Sequence, residues 1–222
     1  MSVVQNLEIL RKAIPENVTL VCVSKFHPES SILEAYRYGE RVFGESKVQE
    51  LTEKYLHLPK DIQWHFIGHL QTNKVKYLVP FVKLIHGVDS LKLLAEIDKQ
   101  ATKIDKVVDC LLQVHIATEE TKFGFSAEEI IELFESGEIK KNKHVKLRGL
   151  MGMATFTQNE LQVKNEFQTL KKLFDLIKSK YETNNANFSE ISMGMSDDYP
   201  IAIKEGSTMV RIGSFIFGNR IY

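Results

Sequence analysis

The sequence has little cysteine and no surplus of charge of either sign. Its 222 residues include only two cysteines, Cys22 and Cys110. Each lies inside a short apolar run, where a small buried thiol is the ordinary reading. A disulfide framework is therefore excluded as the source of stability, which suits a reducing compartment. Lys and Arg total 29, Asp and Glu total 29, and the formal net charge is zero. No basic excess is available to neutralise phosphates in bulk, so nucleic acid is not expected as a partner. A local basic pocket stays open.

Long hydrophobic runs are also missing. No stretch approaches the roughly 18 uncharged apolar residues of a membrane span. The opening segment, "MSVVQNLEILRKAIPENV", carries Glu8, Arg11 and Lys12 and reads as an amphipathic helix instead of a signal peptide. A soluble, cytoplasmic protein with no membrane partner is expected. No Pro/Gly/Ser-rich linker or low-complexity tract divides the chain, so residues 1–222 are expected to form one domain. Several catalytic signatures are absent as well. No G-x-G-x-x-G follows the first apolar run, no G-x-S-x-G elbow occurs, and the seven histidines contain no H-E-x-x-H. A Rossmann enzyme, a serine hydrolase and a resident metal are all disfavoured.

What is present is a rhythm. Apolar runs recur as "VTLVCVSK", "RVFGE", "IQWHFIGH", "KLIHGVD", "VDCLLQVHIA", "VKLRGLMGMA", "FSEISMGMS" and "MVRIGSFIFG". Helical patterns separate them. Several begin at a plausible N-cap (Ser30, Ser90, Ser126), and three stop near Gly39, Gly137 and Gly206. The long pattern ending at Tyr181 places Leu161, Phe167, Leu170, Phe174 and Ile177 on a packing face. Eight strands alternating with helices predict parallel βαβ units, and the count favours an α/β fold of the closed (β/α)8 TIM-barrel type.

In such a barrel the working face lies where the strands end. Lys25 closes the first run, and Pro28 prevents that strand from continuing. A lysine there is commonly a snorkelling or ion-paired side chain. Its functional alternative is an amine whose pKa is lowered by desolvation and which attacks an aldehyde or ketone. The segments "SMGMSDD" (192–198) and "VRIGSFIFG" (210–218) follow the seventh and eighth runs, where barrels of this class often hold a phosphate. Gly194 and Gly213 permit close backbone approach, and Ser196 and Ser214 add hydroxyl donors. Together they read as a phosphate clamp facing the amine across the barrel mouth. Arg211, inside an apolar strand, is either a structural ion-pair partner or a cation facing a pyridine nitrogen.

The motifs "VSK", "FGESKVQE", "WHFIGHLQTNK", "HGVDS", "TKFGF", "RGLMGMA", "SMGMSDD" and "GSTMVRIGSFIFG" occur in order over nearly the whole chain. With them the chain resembles the pyridoxal phosphate homeostasis proteins, which are similar to the N-terminal barrel of alanine racemases, the type III PLP fold. The resemblance implies pyridoxal 5'-phosphate (PLP) as cofactor, held as an internal aldimine by Lys25. It implies Ser196, Gly213, Ser214 and the backbone at Met195 around the phosphate, and Arg211 facing the pyridine nitrogen. Ser46 and His69 are implied to line the same mouth. Ser46, His115 and Gly87 depart from residues common in that family, at the periphery of the site.

The implied role is control of intracellular PLP without an established turnover and with no catalytic residue. PLP-dependent apoenzymes are the further partners it suggests. The enzymatic alternatives are an amino-acid racemase or lyase and, more distantly, an aldolase-like Schiff-base enzyme. Alanine racemases have a second, β-rich domain and a tyrosine from a partner subunit. This sequence stops at Tyr222, just after its eighth run, so neither is expected and a monomer is.

Overall fold

The structure is a computed structural model that describes residues 2–118, 123–181 and 187–218. The eight apolar runs become eight parallel strands: β1 (Thr19–Val23), β2 (Val42–Glu45), β3 (Gln63–Phe66), β4 (Leu84–Val88), β5 (Val108–Val114), β6 (Val145–Gly152), β7 (Glu190–Ser192) and β8 (Met209–Ile212). They pair in chain order, and β1 also pairs with β8, placing Val21 beside Arg211 and Cys22 beside Ile212. The sheet therefore closes into the expected barrel.

Outside it run α1 (Val3–Ala13), α2 (Glu29–Tyr38), α3 (Val48–His57), α4 (Val75–Leu78), α5 (Leu91–Thr102), α6 (Ala127–Glu135), α7 (Glu160–Lys180), α8 (Tyr199–Lys204) and α9 (Ser214–Phe217). Their starts follow local chemistry. Ser2 and Gln5 form a reciprocal capping box on α1, and Ser126 and Glu129 form another on α6. Ser90 caps α5 through its hydroxyl. Ser30 does not cap α2, contrary to the expectation. Pro28 holds that position in an extended conformation, and Ser30 falls within the first turn. Proline has no amide hydrogen to leave unsatisfied there, which makes it compatible with a helix entrance.

Strand alternation creates two cores. Val21, Leu84, Leu111, Met151 and Met209 fill the barrel, while Leu20, Cys22, Phe43, Trp64 and Phe66 point outward to the helices. Cys22 and Cys110 are both free and buried in that outer layer, and burial pushes both thiols up from their ordinary pKa. On α7, Val163, Phe167, Leu170, Phe174 and Ile177 are buried, whereas Leu161 is 65% exposed. At 100° per residue Leu161 lies about 200° from Val163, on the solvent side. The final apolar run is not one strand either: β8 stops at Ile212, Gly213 turns the chain, and α9 follows. No helix among the described residues is long and apolar enough to cross a membrane.

Candidate functional site

All strands are parallel, so their C-terminal ends share one mouth, and the candidate residues gather there. Lys25 lies two residues beyond the end of β1, half-buried, in a turn. The next residue, Phe26, adopts φ 65°, an uncommon conformation for a side chain of its size. Such a conformation persists only where the surroundings fix it. Here its amide donates to Glu50 Oε1 at 2.6 Å. Glu50 in turn accepts from Lys54 Nζ at 2.7 Å. Lys54 also donates to the Ser24 carbonyl at 2.9 Å and to Glu45 Oε1 at 2.7 Å, and Ser24 Oγ donates to the same Glu45 oxygen at 2.7 Å. This buried network from β2 and α3 clamps both sides of Lys25. Burial raises the Glu45 pKa against the pull of Lys54, and Glu45 Oε2 is buried without a partner.

On the other side of β1 lie the loops after β7 and β8. Gly194 has φ 94°, and a Cβ there would come within 2.5 Å of Ala202 Cβ. Only glycine allows this turn and the close approach of α8. The Met195 amide donates to Asp198 Oδ1 at 2.5 Å, which ties down the loop. Burial raises the Asp198 pKa, opposed by that amide and by the charge of Arg211. The Gly213 amide donates to Ser196 Oγ at 3.4 Å, joining the two loops. A Cβ on Gly213 would meet the Val23 carbonyl at 2.9 Å. The β8 loop is thus pressed against the end of β1. Ser214 is exposed and opens α9, whose first amides have no intrahelical acceptor. The loops and the lysine therefore do not face one another across the mouth, as the sequence suggested. Barrel closure makes the first and last strands neighbours, so they lie side by side.

Arg211 points into the barrel and is 4% exposed. Its Nη1 donates to the Ser192 carbonyl at 2.8 Å and to Ser192 Oγ at 2.6 Å, and its Nη2 donates to the Gly152 carbonyl at 3.1 Å. Burial lowers its pKa to about 10, with Asp198 acting the other way, so it is charged at neutral pH. Backbone and hydroxyl acceptors, in place of the ion pair considered from the sequence, satisfy these donors.

Ser46 and His69 form a separate group. They line a cavity of about 190 Å³ with Lys47, Gln49, Gln71 and Lys74, between the loops after β2 and β3. His69 Nδ1 is 2.8 Å from Asp89 Oδ2, and its ring stacks on Phe123 with centroids 4.3 Å apart. These two residues share the mouth with Lys25 but sit on its β2–β3 flank, away from β7 and β8.

Sequence reasoning placed Glu45 at a strand end without giving it a role, read His65 and His86 as structural histidines, and did not single out Glu50, Lys54, Asp198 or Ser192. A partial signal existed for Glu50 and Lys54, which have the i,i+4 spacing of a helical ion pair. The contacts of Ser192 and the two histidines cross the barrel and leave no local signature. Chemically, the β1–β7–β8 cluster can hold a small molecule carrying an aldehyde or ketone and an anionic group. Lys25 supplies the amine, and the glycine-lined loops supply backbone amides and hydroxyls.

Known proteins share this arrangement of the chain. The family described as alanine racemase, N-terminal domain, matches residues 2–220. The pyridoxal phosphate homeostasis protein of Aquifex aeolicus is 44% identical over 204 residues, covering 91% of this chain and 87% of that protein. PipY of Synechococcus elongatus superposes with a TM-score of 0.91 without PLP and 0.88 with PLP bound, at 32% and 31% identity. Each comparison covers 98% of this chain and 100% of PipY. Alanine racemase from Bartonella henselae, at 13% identity and a TM-score of 0.74, shares the fold over 98% of this chain and 58% of its own. By sequence and by fold, the chain belongs to the alanine racemase N-terminal domain family and, within it, to the pyridoxal phosphate homeostasis proteins.

Proposed function

We propose that the protein binds PLP at the β1–β7–β8 end of the barrel mouth and serves in intracellular PLP homeostasis. The observation that carries this reading is the placement of Lys25 beside two loops joined by the Gly213–Ser196 hydrogen bond. PLP brings an aldehyde, which condenses with a primary amine with loss of water, and a phosphate dianion. The residues present fit both ends. Lys25 Nζ takes the aldehyde carbon. The amides of Gly213, Ser214 and Met195 and the hydroxyls of Ser196 and Ser214 take the phosphate, in a loop that only a glycine at position 213 lets press against Val23 at the end of β1. Arg211, charged and unable to accept a hydrogen bond, faces the ring nitrogen and keeps it unprotonated. Ser46 and His69 line the open flank of the ring. Membership among the homeostasis proteins, and the PLP-bound form of PipY, support the reading.

The protein acts as a carrier or regulator of PLP for dependent apoenzymes, as a single-domain monomer in the cytoplasm, and not as an enzyme with sustained turnover. Adding PLP is expected to raise an absorbance band near ~420 nm. Borohydride reduction and peptide mass spectrometry are expected to place the label on Lys25, and Lys25→Ala to abolish band and label together. A wild-type protein with no band, or a label on another lysine, would reject the site. Incubation of the PLP-loaded protein with amino acids in deuterated water separates carrier from enzyme. Rapid α-proton exchange would favour a racemase or lyase.

A further inference from the structure

A line of buried polar groups runs through the barrel interior, and of these the cofactor contacts proposed above use only Arg211. Ser192 and His86 are fully buried and His65 is 4% exposed. From Arg211 the line runs through Ser192 Oγ at 2.6 Å, then to His86 Nδ1 at 2.9 Å, and from His86 Nε2 to His65 Nδ1 at 3.0 Å. His65 lines a cavity of about 220 Å³ at the opposite, N-terminal end of the barrel, with Lys83, Asp109, Arg148 and Glu190.

The chemistry of the first group orders the rest. A guanidinium only donates, so Ser192 Oγ accepts from Arg211. The Ser192 hydroxyl proton then goes to His86 Nδ1, because the opposite direction would leave a buried O–H unspent. His86 is left with its proton on Nε2 and donates to His65 Nδ1. His65 likewise carries its proton on Nε2, which ends the line at the lower cavity. Burial keeps both imidazoles neutral, and the positive charge of Arg211 adds to the effect on His86.

We propose that Ser192, His86 and His65 are positioning residues for Arg211. They form a one-way donor line that fixes the direction of the guanidinium and surrounds it with neutral acceptors. This rests on the reading that Arg211 faces the ring nitrogen of PLP. A carboxylate at position 192 or 86 would turn the guanidinium toward itself. A neutral acceptor holds it in place and leaves its charge directed at the ring. The electronic character of bound PLP would thus be set through Arg211 by groups that never touch the cofactor.

Two measurements test the proposal. Long-range proton–nitrogen NMR on the wild-type chain without PLP is expected to show His65 and His86 neutral at pH 7, both protonated on Nε2. An Nδ1-protonated tautomer at either histidine overturns the donor line. The second compares Ser192→Ala, which removes the hydroxyl, with Ser192→Thr, which keeps one. With PLP bound, Ser192→Ala is expected to shift the pH midpoint of the absorbance band by about one unit, and Ser192→Thr to restore it. PLP-loaded Ser192→Ala with the wild-type midpoint overturns the positioning role. If the wild type takes up no PLP, the cofactor reading falls by itself. The Arg211 Nε–H resonance, expected to move in Ser192→Ala and return in Ser192→Thr, still decides the line. Should Ser192→Ala fail to fold, the wild-type tautomers decide it.

Discussion

Lys54 is the side chain on which the turn at Lys25 most depends. Its side chain is 7% exposed, and its ammonium meets two carboxylates and the Ser24 carbonyl. Removing one partner of a buried ion pair leaves the other charge uncompensated, at a cost of about 3 kcal/mol. Lys54→Met is therefore expected to lower the unfolding free energy from urea titration by about that much and to weaken PLP binding as the Phe26 turn relaxes. Adding Glu45→Gln removes the stranded charge and is expected to recover most of the stability but not the binding. The two buried histidines make a different prediction. The His65 pKa is lowered from the ordinary 6.5 to about 3 by burial, and that of His86 is lowered well below 6.5. The unfolded chain binds these protons more readily than the folded one. Their contribution to stability is thus complete above pH 6.5 and is lost as pH falls below it, for His65 down to about pH 3. Each histidine steepens the acid limb by up to about 1.4 kcal/mol per pH unit. Denaturant titrations between pH 7 and pH 4 are expected to show a flatter limb in His86→Asn than in the wild type.

At the scale of elements, the loop between β7 and α8 is set by backbone geometry. Gly194→Ala imposes φ 94° on a residue with a Cβ and drives it against Ala202. The expected cost is about 1–3 kcal/mol of stability. The shift of Met195 and Ser196 should also reduce PLP affinity, read by absorbance titration. Ser126→Ala provides the contrast. It removes a hydroxyl that caps α6, for about 1 kcal/mol, and is expected to leave PLP affinity unchanged. Much at this scale was legible in the chain. The β-branched runs, the Ser90 and Ser126 caps and the apolar stripe of α7 depend on neighbours within a turn or two. Element ends were less so. Ser30, Leu161 and the split of the last run into β8 and α9 were each decided by one residue's geometry.

For the whole molecule, the decisive event is closure of β1 against β8. It presses Gly213 against Val23, at the end of the strand that leads to Lys25, and leaves the first helix against the last, where Asn6 Nδ2 donates to the Ile216 carbonyl at 3.1 Å. A ligand held by Lys25 and the β8 loop spans this seam. Hydrogen exchange is accordingly expected to slow in β1, β8, α9 and α1 on adding PLP, because binding stabilises the folded seam against opening. Strands β4 and β5, on the opposite side of the closed barrel, should change little. Uniform protection around the barrel, or none in β1 and β8, would argue against a ligand at this position.

The sequence by itself determined that a parallel barrel forms and that Lys25, Ser196, Arg211, Gly213 and Ser214 end at its mouth. Period-two and period-3.6 patterns are local, and in a parallel barrel every strand end lies on one face. Tertiary structure alone decided which of those residues are neighbours. Pairing of β1 with β8 links positions nearly two hundred residues apart, and its register follows from closing the sheet. It likewise decided what holds Lys25 and Arg211 in place. Glu45 with Lys54, and Ser192 with His86 and His65, meet because buried polar groups must find their partners within the protein.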